Sequence, residues 1–302
     1  MRRFLFVVTA VASVCTSAQV AVRGSDQLQV KEPPMAGIHW ARGHAKPHSG
    51  GGSPDLTYHG GPVLTAGAYV EPIFWGASWA NSSFVADKMN GLATFYSGFG
   101  NSSYEATNTE YTDTTGAHVG TAVTLGVQHI DLSAAPRSGN RTSPILGEVC
   151  AVAANLVPDG YYPVYVDTPR GSAGFCAWHS VGTCPTGVTV QFAFFFNLDG
   201  DPGCDPQDAS GLHSQGLAAL ANVSGHELSE ALTDPHVNAW FDASGQENAD
   251  KCAWAFGTPL LTFANQTQWK IQGNWSNLAF NGGTGYSNLS GQPGCVDGGN
   301  FK

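Results

Sequence analysis

The chain has 302 residues and a formal net charge of −10, from 13 Lys and Arg against 23 Asp and Glu. Charged residues make up only 12% of it, about half the usual share for a soluble domain. Hydrophobic residues make up 42%, and 16 Phe, 9 Tyr and 8 Trp can fill a sizeable core. This excludes a largely disordered chain. The acidic balance also removes any electrostatic reason to bind nucleic acid or an anionic membrane.

Arg2 and Arg3 precede an apolar run over residues 4–14, and Thr16, Ser17 and Ala18 follow it. That is the grammar of a secretory signal, so residues 1–18 are read as a removed signal peptide and the protein as extracellular. The run is too short to cross a membrane, and no later stretch reaches the roughly 18 apolar residues that a span needs. Val14 stands where a lipoprotein signal at Cys15 would need a small residue. Residues 19–56, with KEPP and HAKPHSGGGSP, read as a flexible arm in which His39, His44 and His48 are irregularly spaced. Residues 57–302 read as one domain.

Strands are expected over 62–64 and 68–75, then a helix over 84–96, where Val85, Met89, Leu92 and Phe95 share a face. A strand is expected near 127–132, a helix over 143–157 and a strand over 161–166. The run VTVQFAFFFN, 188–197, is apolar nearly throughout and suits a strand buried on both faces. The loop at 198–208 carries Asp199, Asp201, Asp205 and Asp208; its spacing fits no EF-hand, and it reads as an acidic solvated turn rather than a calcium loop. A long helix over 211–232 ends at Asp234-Pro235. The fold expected from this is α+β, a zincin-like single domain with a mixed sheet packed on the long helix.

Cys150, Cys176, Cys184, Cys204, Cys252 and Cys295 follow the signal. An even number in an exported chain favours three disulfides, which staple the C-terminal half; without a CxxC pair a zinc-thiolate site has little support. The closeness of Cys176 to Cys184 suggests that these two pair, and Cys252 with Cys295. Asn81, Asn101, Asn140, Asn222, Asn265, Asn274 and Asn288 stand in glycosylation sequons.

The chemistry concentrates in SGHELSEALTDP. On a wheel of about 100° per residue, Leu212, Gly216, Ala219, Leu220 and Val223 form an apolar stripe that His226, Glu227 and Glu230 continue. Ser214, Gln215, Asn222, Gly225 and Ser229 take the opposite, wet side. Bare carboxylates on the stripe would cost several kcal/mol unless paired or bound to a cation. His226 and Glu230 are one turn apart and can hold one metal ion, with Glu227 where HExxH peptidases keep their general base. Here the second His is Glu230, and His-carboxylate sets suit Zn, Mn or Ca. A metal-free buried polar network is the competing reading.

Further ligands are expected from Glu247 and Asp250, the latter as ligand or as support for His226. His236 has the spacing of a third His but lacks the accompanying turn glycine, and no Met-turn follows. His179, in CAWHS, is a candidate contact to substrate or transition state. A serine hydrolase is disfavoured, because no GxSxG elbow occurs.

The segments YHGGPVLTAGAYVEPIFWG, FCAWHS and SGHELSEALTDP…NAWFD…C resemble the EXORDIUM/phosphate-induced protein 1 family across residues 58–252. The resemblance implies an extracellular, often cell-wall-associated protein linked in plants to growth. Two functions are therefore expected. One is a secreted metal-dependent peptidase acting on a polypeptide or cell-wall substrate, with Glu227 as base. The other is a non-catalytic EXORDIUM-like protein whose cluster is structural.

Overall fold

The structure, a computed structural model, describes residues 32–44, 54–153 and 155–302. The expected signal peptide lies outside these residues, as does most of the expected arm. At the centre is the strand Thr189–Asn197, whose interior residues are all buried. Tyr161–Pro169 runs parallel on one side of it and Phe175–Thr183 antiparallel on the other. Beyond Tyr161–Pro169 come Ala68–Val70 and Ile73–Trp75, and beyond them Val123–Leu125 and His129–Asp131, all parallel. The sheet is thus mixed, as expected. Residues 62–64 stay outside any strand. The strand expected over 68–75 is broken at Glu71-Pro72, because Pro72 has no N–H for the ladder.

Two parts of the sheet depart from the sequence reading. Phe175–Thr183 is a nine-residue strand where the sequence reading placed no element. Ala36–Trp40, inside the expected arm, pairs antiparallel with it at the sheet edge, and His39 is fully buried there. Residues just before this strand are also tied down. Glu32 Oε1 accepts from the Thr142 N–H at 2.7 Å, at the start of the helix Ser143–Val152. The Ser180 hydroxyl donates to the Pro34 carbonyl at 2.5 Å.

The long helix is Gln215–Thr233; the Ser214 hydroxyl caps it by accepting from the Leu217 N–H at 3.1 Å. It is buried on every side from Gly216 to Thr233, so the wet face expected from the wheel does not exist. The reason lies downstream. Ile271 comes against Gly225, the Gln272 N–H donates to Asn222 Oδ1 at 2.9 Å, and Asn274 Nδ2 donates to Ser229 Oγ at 3.1 Å. The shorter helix Lys88–Phe99 also packs on it.

The disulfides are Cys150–Cys184, Cys176–Cys204 and Cys252–Cys295. The last agrees with the sequence expectation. The expected Cys176–Cys184 pair is wrong: both lie on the strand Phe175–Thr183 or just past its end, so an extended backbone holds them apart. The acidic loop is also less solvated than expected. Arg170 grips Asp201 through two bonds, 2.6 and 2.9 Å, and buried Lys88 pairs with Asp199.

Candidate metal centre

Near its C-terminal end the long helix presents His226, Glu227 and Glu230, all with no solvent exposure. Strand Phe175–Thr183 brings His179 to them, and the turn following residue 242 brings Glu247 and Asp250. His179 Nε2 lies 3.6 Å from Glu230 Oε2 and 3.3 Å from Glu247 Oε2. His226 Nε2 lies 3.1 Å from Glu230 Oε1 and 3.6 Å from Asp250 Oδ1. Two triads, His179–Glu230–Glu247 and His226–Glu230–Asp250, therefore share Glu230.

Three of the facing atoms have no hydrogen-bond partner although they are buried: His226 Nε2, Glu230 Oε2 and Glu247 Oε2. The other oxygen of Glu230 is held by the Asp250 N–H at 2.9 Å, which aims Oε2 at His179. Burial pushes Glu227, Glu230 and Glu247 well above the ordinary carboxylate range, and the charge of Asp250 pushes them further. Burial pushes His179 down to about 4. Such a cluster repels added negative charge and leaves lone pairs idle, and a divalent cation removes both penalties.

The two histidines are not equivalent. Gln272 Oε1 accepts from the Trp254 N–H at 3.2 Å, and its Nε2 donates to the Ala249 carbonyl at 2.9 Å. These backbone partners fix the sense of the amide. Its second N–H points at His226 Nδ1, 2.9 Å away, and its oxygen faces His39 Nε2 at 2.9 Å. Neutral His226 therefore carries its proton on Nε2, toward the carboxylates. Histidines that bind metal through Nε2 usually donate from Nδ1; this one accepts there.

Glu227 sits on the same helix with both carboxylate oxygens unpartnered. His236 does not join the cluster: past Pro235 it turns away and bonds Asp159 at 2.8 Å. Sequence reasoning missed His39, Gly37 and Gln272. Gly37 has φ +48°, and a Cβ there would lie 2.1 Å from Glu230 Oε2 and 2.4 Å from His179 Nε2. Its bare backbone thus lies directly on the cluster. A cleft of about 250 Å³ continues outward between Trp40, Gln246, Asp250, Trp254 and Leu289.

Comparison with known proteins agrees with the sequence resemblance. Protein EXORDIUM-like 5 of Arabidopsis thaliana is 25% identical over 240 residues, covering 67% of this chain and 65% of that protein. Protein EXORDIUM-like 3 of the same plant is 26% identical over 240 residues, covering 67% of this chain and 70% of that protein. The chain is similar, at this distance, to the EXORDIUM-like proteins. It spans about two thirds of the length of each. No family model matches it, and no solved structure matches it, so the mixed α+β sheet stands without the zincin-like assignment. Among the described residues no helix is long and apolar enough to cross a membrane.

Proposed function

We propose that this chain is an exported, EXORDIUM-related protein built around a divalent-metal centre that is closed in the form described above. The observation that carries this is the convergence of unpartnered, buried Glu230 Oε2 and Glu247 Oε2 on His179. The ion, Zn or an oxygen-preferring Mn or Ca, is held by His179, Glu230 and Glu247. Asp250 holds Glu230 in place, and His226 supports the centre from its protonated Nε2. With Gly37 lying on the cluster, the closed form has no room for substrate, so it acts as a non-catalytic extracellular protein, growth- or wall-associated as the resemblance implies.

A second reading is a metal-dependent peptidase, and one observation favours it: Glu227 keeps two idle carboxylate oxygens next to the cluster. A divalent ion with three protein ligands can polarise a carbonyl and a bound water. Glu227 would then take up the water's proton. Comparison of Glu227→Gln with wild type decides between the two. Under the first reading neither protein cleaves unfolded polypeptide and both keep the metal. Under the second, wild type cleaves it, and the variant keeps the metal while losing roughly 10²-fold or more in rate.

A further inference from the structure

We infer that the edge of strand Phe175–Thr183 above the cluster is a binding site for an extended polypeptide, and that residues 36–40 of this chain occupy it in cis. A free sheet edge offers unpaired N–H and C=O groups that any extended segment can satisfy, with side-chain pockets setting the preference. Here the occupant is Ala36–Trp40, paired antiparallel as Ala36 with His179, His39 with Ala177 and Trp40 with Phe175. The register shifts between Ala36 and His39, so the ladder is irregular where it passes the cluster. At that point Gly37, with φ +48°, lays its backbone against Glu230 and His179.

The site also reads the occupant's side chains. Position 37 accepts only glycine, by space and by φ. Two residues later His39 enters a buried slot, edge-on to Trp254 at 4.5 Å and to His226 at 4.3 Å, and bonds Gln272. Beyond it the Ala41 N–H donates to the Gly174 carbonyl at 2.9 Å, and Arg42 stacks 4.4 Å over Trp254. The favoured ligand is therefore an extended segment with Gly-x-His and a following basic residue. The strand joins the rest of the chain through residues 45–53, AKPHSGGGS, so covalent tethering supplies a high local concentration of this occupant. The inference rests on the cluster being a ligand site, but it stands on strand geometry and can fail separately from the metal.

The test uses the full chain with a site-specific protease sequence inserted after Gly51. The cut protein is offered a dye-labelled synthetic peptide with the sequence of residues 33–44. Uptake at least tenfold above that of uncut protein is expected, with none for the peptide carrying Gly37→Val. Equal uptake of the two peptides, or no uptake above the uncut level, overturns the inference. Should cutting unfold the protein, hydrogen exchange on the uncut chain decides. Amides of 36–40 exchanging at least tenfold faster than those of 189–197 support a strand that leaves its edge in the folded state, whereas exchange at one common rate overturns it. Metal content is read on the same samples: exchange without metal removes the metal reading alone, and metal without exchange removes this one.

Discussion

Gln272 Nε2 lies 2.9 Å from His226 Nδ1, and the amide cannot turn over without losing both Trp254 N–H and Ala249 C=O. One side chain from the tail thereby decides which nitrogen of the helix histidine holds the proton. It also ties the edge strand to the helix, because its oxygen is shared with His39.

Gln272→Leu separates support from ligation. It strands two histidines and two backbone groups in the core, which should cost about 3 kcal/mol of stability. The metal stoichiometry should not change, since His179, Glu230 and Glu247 are untouched. Metal analysis together with urea unfolding reads both. A variant of wild-type stability that has lost its ion would make His226 the principal ligand.

Gly37→Ala tests the closeness of the cover. The new methyl would lie 2.1 Å from Glu230 Oε2 and from the His179 ring, well inside van der Waals contact, and would sit at a left-handed φ. We expect the melting temperature to fall by about 5 °C or more, consistent with a loss of 1–3 kcal/mol for strain of this kind. An unchanged melting curve would show that residue 37 does not lie where described.

Glu105 provides a pH test far from the metal question. It is fully buried, neither oxygen has a partner, and burial pushes its pKa up to about 8. In the unfolded chain it titrates near 4.5. Between these values the folded state binds the extra proton, so stability falls as pH rises from 4.5 through 8. Below 4.5 both states are protonated and the penalty disappears. Glu105→Leu should therefore stabilise by about 4 kcal/mol more at pH 8 than at pH 4. A gain independent of pH would mean that the carboxyl is not the source.

The Cys176–Cys204 bridge anchors the edge-facing strand to the loop in which Arg170 holds Asp201. It closes a separation of 28 residues, and replacing both cysteines with Ala should cost about 3 kcal/mol. A non-reducing peptide map should first show this pair together with Cys150–Cys184 and Cys252–Cys295.

What was legible in the sequence follows from how local each signal is. Thr189–Asn197 announces itself because a strand buried on both faces needs apolar residues at every position. The long helix is marked at its end by Asp234-Pro235, but its start, expected at 211, lies at Gln215, where Ser214 caps it. His226, Glu227 and Glu230 stand out by one rule, that acids on a buried stripe need partners, whereas Glu247 and Asp250 follow from their spacing downstream of His226, like that of the ligating Glu and supporting Asp of thermolysin-like enzymes. His179 stands out as a candidate contact, but Cys, His and Ser interrupt the apolar pattern of its strand and hide it. His39 lay hidden in a stretch rich in Gly and Pro, and only its pairing to a distant strand buries it. Nothing local marks Gln272. Its role arises from four partners, the nearest 18 residues away in sequence.

The most direct test is the metal content of the secreted protein, purified without an affinity tag or chelator, in wild type and in His179→Ala. A divalent-metal centre held by His179, Glu230 and Glu247 requires about one equivalent of metal in wild type, essentially none in His179→Ala, and a lower melting temperature for that variant, because Glu230 and Glu247 are then left buried and uncompensated. Wild-type protein with less than about a tenth of an equivalent of any divalent metal, and a melting temperature unmoved by added zinc, manganese or calcium, would contradict it.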